Sequence, residues 1–326
     1  MHASPKRRQI LTLLAASPWL ATAARAQSAW PERDLRIVAP VPPGGTVDLL
    51  VRAMAEHMRQ ALGRPVVVDN RPGAGGLLGT KIASAAAPDG YTLAYLHSGL
   101  VTVQAMNPKL DLLKEFRMVA RLTHGPFGLV VRADSPYKTA QELFAAVKAQ
   151  PGKLTFGSGG VGSPAHLAVE HIEERIPGFK ALHVPYKAAT ETVNAMIGGQ
   201  VDFSVSVLGT LTPLVQSGKL RLLAITGRAR LPPMPDVPTL HEAALPGYVF
   251  EPWSALAVPA GTPDAVVERL YQLMPATMAT SAVKDVVAKG GSVIEVIDGK
   301  TFAAQLARDI PAEQALVKRL GMTMDQ

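Results

Sequence analysis

The stretch from Lys153 to Ile172, "KLTFGSGGVGSPAHLAVEHI", decides the fold class, because a strand-like run, a glycine-rich turn and a helix-like run follow one another in it. The helical pattern starts at Pro164. Gly157, Gly159 and Gly162 spell G-x-G-x-x-G, the spacing that holds a dinucleotide pyrophosphate between a strand and a helix. This unit predicts an α/β protein whose turn presents backbone N–H groups at a helix N-terminus.

Neither familiar nucleotide motif is complete around this turn. A dinucleotide site needs an acid about 20 residues on, at the end of the next strand. Glu173 and Glu174 fall near that interval, but they lie on the predicted intervening helix. A P-loop needs lysine where Ser163 stands. What remains is the property that both motifs share, a glycine-rich turn whose free N–H groups attract an anion.

A second loop of the same design lies near the N-terminus. Leu35 to Ala39 predicts a strand, Pro42 to Gly45 a turn, and the apolar period from Asp48 a helix that Gly63 ends. Strands and helices continue to alternate through "PVVVDNRPGAGG" and "GTKIASAAAPDGYTLAYLHSG". This alternation predicts βαβ units and a mostly parallel sheet.

The same alternation restarts in the second third of the chain, which predicts two α/β lobes. Apolar extended runs at Phe127–Arg132 and Trp253–Val258 are the predicted crossings between them. The first lobe then comprises residues 27–126 plus 254–326, and the second comprises residues 127–253. Ligands of such proteins bind outside the carboxyl ends of the strands and between the domains.

The composition is that of a globular protein of 326 residues, with 48% hydrophobic and 18% charged residues. The formal charge of +7 is largely local, since four basic residues and no acid lie in the first 26 positions. Without that segment 29 basic and 26 acidic residues remain, a net charge of +3. No dense basic stripe with interleaved aromatic residues is present, so nucleic-acid binding is not predicted.

The N-terminus has the pattern of a secretory signal peptide over residues 1–26. Lys6-Arg7-Arg8 is a basic start, an apolar run follows, and Ala24-Arg25-Ala26 is a cleavage site before Gln27. The signal predicts a periplasmic protein. "RRQIL" is similar to a twin-arginine signal, so the general secretory and twin-arginine routes both stay open. The chain contains no cysteine, which excludes a lipoprotein anchor and disulfides.

Several motifs in a fixed order resemble one family. They are "PPGGTVD", "VVVDNRPGAGG", "APDGYTL", "GSGGVGSPAHL", "HVPYK", "GGQVDF", "GKLRLLAIT", "MPDVPTLHEAALPGY" and "VPAGTP". From Trp30 to Gly321 the chain resembles the substrate-binding receptors of tripartite tricarboxylate transporters, the Bug family.

The resemblance implies a two-domain periplasmic binding protein of type II, a Venus-flytrap fold with two crossover strands. Such a receptor closes on a carboxylated small molecule and delivers it to a membrane permease. The implied ligand is a di- or tricarboxylate or an aromatic acid, the implied protein is a monomer, and no cofactor or metal is expected.

The chain departs from the family pattern in places that concern the ligand rather than the fold. The first loop usually reads P-P-G-G-x-T-D, whereas here Val47 precedes Asp48 and Thr46 stands one place earlier. Ala188 replaces the glycine of "VPYKG". The strand after Asp202 is more polar than usual because of its serines.

The predicted binding residues lie in the two glycine loops and at two strand ends. The resemblance implies that both loops face the cleft and clamp a carboxylate, partly through water. The predicted ligand-binding residues are Gly44, Gly45, Thr46, Ser98, Ser158, Gly159, Gly160, Gly162, Ser163 and Ser206. Three further residues are expected to be structural, with a ligand contact as the alternative: Asp48, His166 and Asp202.

No motif of a known enzyme class is complete, and the protein is predicted not to be an enzyme. The sequence has neither G-x-S-x-G nor H-E-x-x-H, and its eight histidines are dispersed. A secreted hydrolase that uses Ser163 and His166 is a rival hypothesis, although no acid partner is evident. A sensor that presents its ligand to a signalling protein is a second rival, and it would share the same fold and site.

Overall fold

The computed structural model describes residues 30–186, 189–232 and 234–323. The predicted signal peptide lies outside the described residues. The strands, in chain order, are β1 (Leu35–Ala39), β2 (Val66–Asn70), β3 (Thr92–His97), β4 (Phe116–His124), β5 (Phe127–Arg132), β6 (Thr155–Ser158), β7 (Leu182–Pro185), β8 (Phe203–Val207), β9 (Leu220–Ile225), β10 (Trp253–Pro259) and β11 (Val293–Asp298).

The helices cover both faces of the sheets that these strands form. They are α1 (Thr46–Leu62), α2 (Leu77–Ser84), α3 (Gly99–Met106), α4 (Leu112–Glu115), α5 (Ala140–Ala149), α6 (Pro164–Arg175), α7 (Ala189–Ile197), α8 (Leu208–Gln216), α9 (Leu240–Ala243), α10 (Asp264–Ala279), α11 (Ser281–Lys289) and α12 (Gly299–Leu320). Within the described ranges, no helix is both long enough and apolar enough to cross a bilayer.

Two separate sheets form the centres of two lobes. The first sheet has the order β11-β4-β10-β3-β1-β2, and the second has the order β7-β6-β8-β5-β9. In the first lobe β1 pairs in parallel with β2 and β3, and in the second lobe β6 pairs in parallel with β7 and β8. β1 precedes the first predicted glycine loop and β6 precedes the second, so each loop lies at the carboxyl ends of the parallel strands in its sheet.

The prediction of a mostly parallel sheet is wrong, because both sheets are mixed. β10 is antiparallel to β3 and β4, β11 is antiparallel to β4, and β5 is antiparallel to β8 and β9. The strand that follows each crossover, β5 in the second lobe and β10 in the first, runs in the opposite direction to the βαβ strands of its sheet, since the chain enters each lobe from the lobe boundary. The sequence interpretation also missed β4 and β11 entirely.

The crossovers are shorter than predicted and are hydrogen-bonded to each other. Phe127–Arg132 and Trp253–Val258 belong to strands of opposite sheets, so the chain crosses just before each of them. The N–H of Gly125 donates to the carbonyl of Pro252 at 3.0 Å. Thr226 Oγ1 accepts the N–H of Phe127 at 2.7 Å and donates to the carbonyl of Phe250 at 2.6 Å. Thr226 therefore joins the two crossovers.

Each sheet is buried between helices on both faces. In the first lobe α1, α10 and α11 pack on one face and α2, α3 and α12 on the other. In the second lobe α5, α6 and α9 cover one face, and α7 and α8 cover the other. Full burial of one large apolar side chain contributes roughly 1.5–3 kcal/mol. The two lobes thus have separate hydrophobic cores.

Candidate functional site

The first glycine loop, Gly44–Asp48 (loop one), is held by a buried carboxylate. Gly44 has a φ of +84° and donates its N–H to Asp48 Oδ2 at 2.9 Å. Asp48 is 2% exposed and also accepts from Arg52 Nε at 2.9 Å and from Asn70 Nδ2 at 2.8 Å. The Arg52 hydrogen bond is the main reason that the pKa of Asp48 falls to about 2, with the Gly44 N–H also lowering it. The Asp48 carboxylate therefore stays ionised and orders the loop.

The start of α1 lacks a side-chain cap. Its N-cap residue is Gly45, and no side chain accepts a hydrogen bond from the first turn of the helix. Among the described residues, the backbone N–H groups of Thr46 and Val47 have no protein acceptor. A helix N-terminus carries a partial positive charge, so these N–H groups form a site that favours an anion.

In the second glycine loop, Ser158–Ser163 (loop two), the N–H groups of Gly160, Gly162 and Ser163 all have acceptors within the protein. Ser158 Oγ, which is fully buried, accepts the N–H of Gly160 at 3.1 Å and donates to the carbonyl of Gly160 at 3.0 Å. The N–H of Gly162 donates to His166 Nδ1 at 3.1 Å. Within the described part of the chain, the N–H groups of Gly159 and Val161 have no protein acceptor.

Ser163 caps α6 and completes loop two. Its Oγ accepts the N–H of His166 at 3.3 Å, and its own N–H donates to the carbonyl of Gly160 at 3.1 Å. Pro164 occupies the first helical turn, where its missing N–H leaves no donor unsatisfied. The Ser163 hydroxyl hydrogen stays available for a ligand at the loop surface.

A stacked pair of imidazoles lies beneath loop two. The rings of His166 and His183 are 3.9 Å apart at 12°, and Phe156 stacks against both. His183 Nε2 lies 2.7 Å from Ser158 Oγ. Burial is the main reason that the pKa of His183 falls to about 4, and the neighbouring His166 lowers it further. The sequence interpretation missed His183 altogether.

Both loops lie at the boundary between the lobes. A Cβ added at Gly162 would be 3.1 Å from Met106 Cε and 3.6 Å from Thr102 Cγ2, both on α3 of the first lobe. Loop one lies beside a second contact between the lobes. A Cβ at Gly290, directly after α11 of the first lobe, would be 3.2 Å from Thr46 Cγ2. A Cβ at Gly209 on α8 of the second lobe would collide with the backbone of Lys289, next to Gly290.

Ser98 lines a cavity of about 550 Å³ between the lobes, beside the crossovers. Thr102 from the first lobe and Leu167 from the second lobe also line it, together with Trp253 and Phe302. The N–H of Ser98 donates to the carbonyl of Trp253 at 3.0 Å, which ties the end of β3 to the second crossover. Of the predicted ligand-binding residues, only Ser98 lines this cavity.

The charged groups of the cavity balance one another. It is lined by three arginines, one histidine and three acids: Arg121, Arg228, Arg308, His171, Glu251, Asp309 and Glu313. Glu313 accepts from Thr102 Oγ1 at 2.8 Å and lies 3.4 Å from His171 Nε2. Burial lowers the pKa of Arg121. The cavity therefore does not select an anion by net charge, in contrast to the two loops.

The two remaining predicted residues belong to the second lobe, where Ser206 is buried and Asp202 is exposed. Ser206 is 2% exposed in β8, paired with Gly128 of β5. Asp202 Oδ2 accepts the N–H of Thr155 at 2.7 Å and its Oγ1 at 2.9 Å, which fixes the start of β6. Ligand contacts of the predicted residues stay predictions.

The geometry does not activate Ser163 as a nucleophile. The ring of His166 points to the N–H of Gly162 and to Glu170, so it does not accept the Ser163 hydroxyl. Ser158 and His183 do make a serine–histidine hydrogen bond, but Ser158 has no exposed surface for a substrate. No group of three metal-ligating side chains occurs among the residues that the structure describes.

Comparison with known sequences gives one consistent result. The sequence profile described as the tripartite tricarboxylate transporter family receptor, TctC, matches residues 50–322. A UPF0065 protein in the gbd 5' region of Cupriavidus necator is 35% identical over 322 residues, which cover 98% of each chain.

Solved structures have the same fold. The periplasmic binding protein BugD is 31% identical with a TM-score of 0.75, and the match covers 90% of this chain and 99% of that one. R. palustris Rpa4515 with adipate is 26% identical with a TM-score of 0.78, over 90% and 99% of the two chains. MatC from Rhodopseudomonas palustris with bound malate is 29% identical with a TM-score of 0.75, over 88% and 99%. The two-domain binding-protein fold predicted from the sequence is confirmed.

Proposed function

Because the chain belongs to the tripartite tricarboxylate transporter receptor family, we propose that it captures a small carboxylate between its two lobes and delivers it to a membrane permease of that transporter class. The proposed receptor carries out no reaction on its ligand. It acts in the periplasm as a monomer, and it needs no cofactor.

The observation that carries this proposal concerns the two loops at the lobe boundary. In each loop, within the described part of the chain, two backbone N–H groups have no protein acceptor. Loop one offers Thr46 and Val47, and loop two offers Gly159 and Val161. Neither loop contains a lysine or an arginine. Backbone N–H groups therefore supply the charge interaction, which suits a carboxylate better than a phosphate dianion that demands more counter-charge.

The hydrogen bonds that the two loops can donate are sufficient in number for micromolar binding of a carboxylate. A hydrogen bond to a charged group contributes roughly 1.5–3 kcal/mol. Micromolar binding needs about 8 kcal/mol. Three such bonds from two loops, with apolar contacts between the lobes, reach that value. The malate and adipate held by the two R. palustris proteins support a carboxylate ligand for this chain.

Export to the periplasm depends on the predicted signal peptide of residues 1–26. The proposed exported chain begins at Gln27. Mass analysis of periplasmic material tests this directly, and a chain that retains Met1 would contradict it.

Native mass spectrometry of freshly purified protein tests the carboxylate assignment. The expected result is a retained mass that matches a di- or tricarboxylic acid or an aromatic acid and that disappears after unfolding and refolding. A retained nucleotide or inorganic phosphate would overturn the proposal. Co-purification with a signalling protein instead of permease subunits would favour the sensor hypothesis.

A further inference from the structure

Two glycine N–H groups of loop two, those of Gly160 and Gly162, are held by side chains of the protein. Gly160 and Gly162 have φ values of +110° and +75°, so the loop adopts a backbone shape that few residues allow. The acceptors that hold these two glycines are Ser158 Oγ and His166 Nδ1, both buried. The N–H groups of Gly159 and Val161, one residue before each, remain for an anion.

The hydrogen bonds fix the tautomer of His166. Because Nδ1 accepts the Gly162 N–H, it carries no proton, and the ring proton of the neutral imidazole is on Nε2. Nε2 lies 3.2 Å from Glu170 Oε1, a position that suits an N–H donor. A doubly protonated His166 would point an N–H at the N–H of Gly162, and the loop would lose its acceptor.

His183 stacks on the ring of His166, and it also supports loop two through its hydrogen bond with Ser158. The parallel register of β6 and β7 places His183 beside Phe156, so that His183, His166 and Phe156 form one stack. His183 Nε2 bonds Ser158 Oγ, which in turn holds Gly160. Two positive charges on rings 3.9 Å apart would repel, which favours the neutral stack.

The charged groups that face this stack come from its own helix and from the strand edge. Glu170 lies against His166, and Glu173 is the next acid along α6. Glu173 accepts the N–H of Ala181 at 2.8 Å and lies 3.7 Å from Lys180 Nζ, so it is engaged at the start of β7. Phe156 and Phe203 make the remaining face of the stack apolar.

We propose that His166 and His183 are positioning residues for carboxylate binding. As neutral stacked imidazoles they hold Gly162 directly and Gly160 through Ser158, so that the N–H groups of Gly159 and Val161 face the ligand. This inference rests on the proposed function. It predicts that removal of the acceptor at His166 Nδ1 weakens binding, because Gly162 is then released.

Two substitutions of His166 separate the hydrogen bond from the stack. His166→Phe keeps an aromatic ring on Phe156 and His183 but lacks the acceptor for Gly162. His166→Asn loses the stack but places an amide oxygen near the position of Nδ1, so an acceptor for Gly162 is retained. Wild type and each variant are titrated with malate and adipate by calorimetry at pH 7.5.

The expected result is that His166→Phe binds about tenfold more weakly than wild type, the effect of one lost hydrogen bond, at a similar melting temperature. His166→Asn is expected to bind within about threefold of wild type, because its amide oxygen replaces the acceptor. Wild-type affinity in His166→Phe, or binding by His166→Asn that is as weak as that of His166→Phe, would overturn the proposal.

A measurement without ligand separates failure of this inference from failure of the proposed function. In protein labelled with 15N-glycine, hydrogen exchange of the Gly162 amide is expected to be slow in wild type and faster in His166→Phe. Equal exchange in both would contradict the positioning role whatever the ligand is. If exchange behaves as expected but neither malate nor adipate binds to wild type, the loop geometry stands and the carboxylate assignment is in error.

Discussion

Gly44 donates its backbone N–H to the Asp48 carboxylate at 2.9 Å, so a buried negative charge shapes the loop that we assign to an anion. Asp48 is at the same time the last residue of loop one and the third residue of α1. Simple electrostatics predicts that this carboxylate repels the ligand. The structure gives the Asp48 carboxylate a different role. The carboxylate orients the N–H of Gly44 and leaves the N–H groups of Thr46 and Val47 free for a ligand.

Asp48→Ala is therefore expected to weaken carboxylate binding by at least about tenfold, because Gly44 and Asn70 lose their common acceptor. Stability is expected to fall by about 1–3 kcal/mol. Asp202→Ala is the control, since Asp202 accepts two hydrogen bonds against the three of Asp48 but holds only the start of β6. It should lower stability and leave affinity unchanged. Tighter binding by Asp48→Ala would show that repulsion is the larger effect.

The low pKa of Asp48, about 2, makes a prediction for acid unfolding. The ordinary value is 3.8, so the unfolded chain binds this proton more tightly than the folded protein does. The stabilisation is fully present above pH 4 and is lost as the pH falls towards 2. Urea unfolding at pH 6 and at pH 2.5 should show a smaller acid loss in Asp48→Asn than in wild type. An equal loss in both would contradict the assignment.

Gly160→Ala tests the shape of loop two. Gly160 has a φ of +110°, and a Cβ there would be 3.4 Å from the carbonyl of Tyr186, so the cost is mainly backbone strain. Gly178→Ala is the control, since Gly178 has a φ of +80° in an open turn after α6. Both changes should lower stability by about 1–2 kcal/mol. Only Gly160→Ala should weaken carboxylate binding, by about tenfold, in calorimetry.

Trp253 is expected to report the closing of the lobes. It starts β10 directly after the second crossover, lines the cavity between the lobes, and packs edge-on against Phe302 at 4.8 Å. Trp30 packs against Tyr91 within the first lobe. Carboxylate addition should shift the tryptophan emission of wild type, and Trp253→Phe should bind with little shift. An undiminished shift in Trp253→Phe would place the reporter elsewhere.

The fold could be predicted where local signals agree. The strand–turn–helix units around Leu35–Ala39 and Lys153–Ile172 are correct, because glycine turns and helical periods are properties of neighbouring residues. β4 and β11 were missed, and the reversed directions of β5 and β10, the strands that follow the crossovers, were not predicted. The direction of a strand depends on the edge of the sheet at which the chain enters the lobe. The hydrophobic period of a single strand does not show that point of entry.

The same limit applies to the site. Loop two and its helix could be located from Gly157, Gly159 and Gly162, but the acceptors that hold the loop could not. His183 lies 25 residues from Ser158 in sequence and reaches it only through the pairing of β6 with β7. The spacing of residues along the chain does not reveal a contact that sheet register creates.

Backbone N–H groups of the two loops are the proposed binding site for a carboxylate. Calorimetric titration of refolded, ligand-free protein with malate, adipate, benzoate, inorganic phosphate and ATP tests it most directly. At least one of the three carboxylates is expected to bind with a Kd of about micromolar or below, while phosphate and ATP are expected not to bind. Micromolar binding of ATP or phosphate, with none of the carboxylates bound, would contradict it.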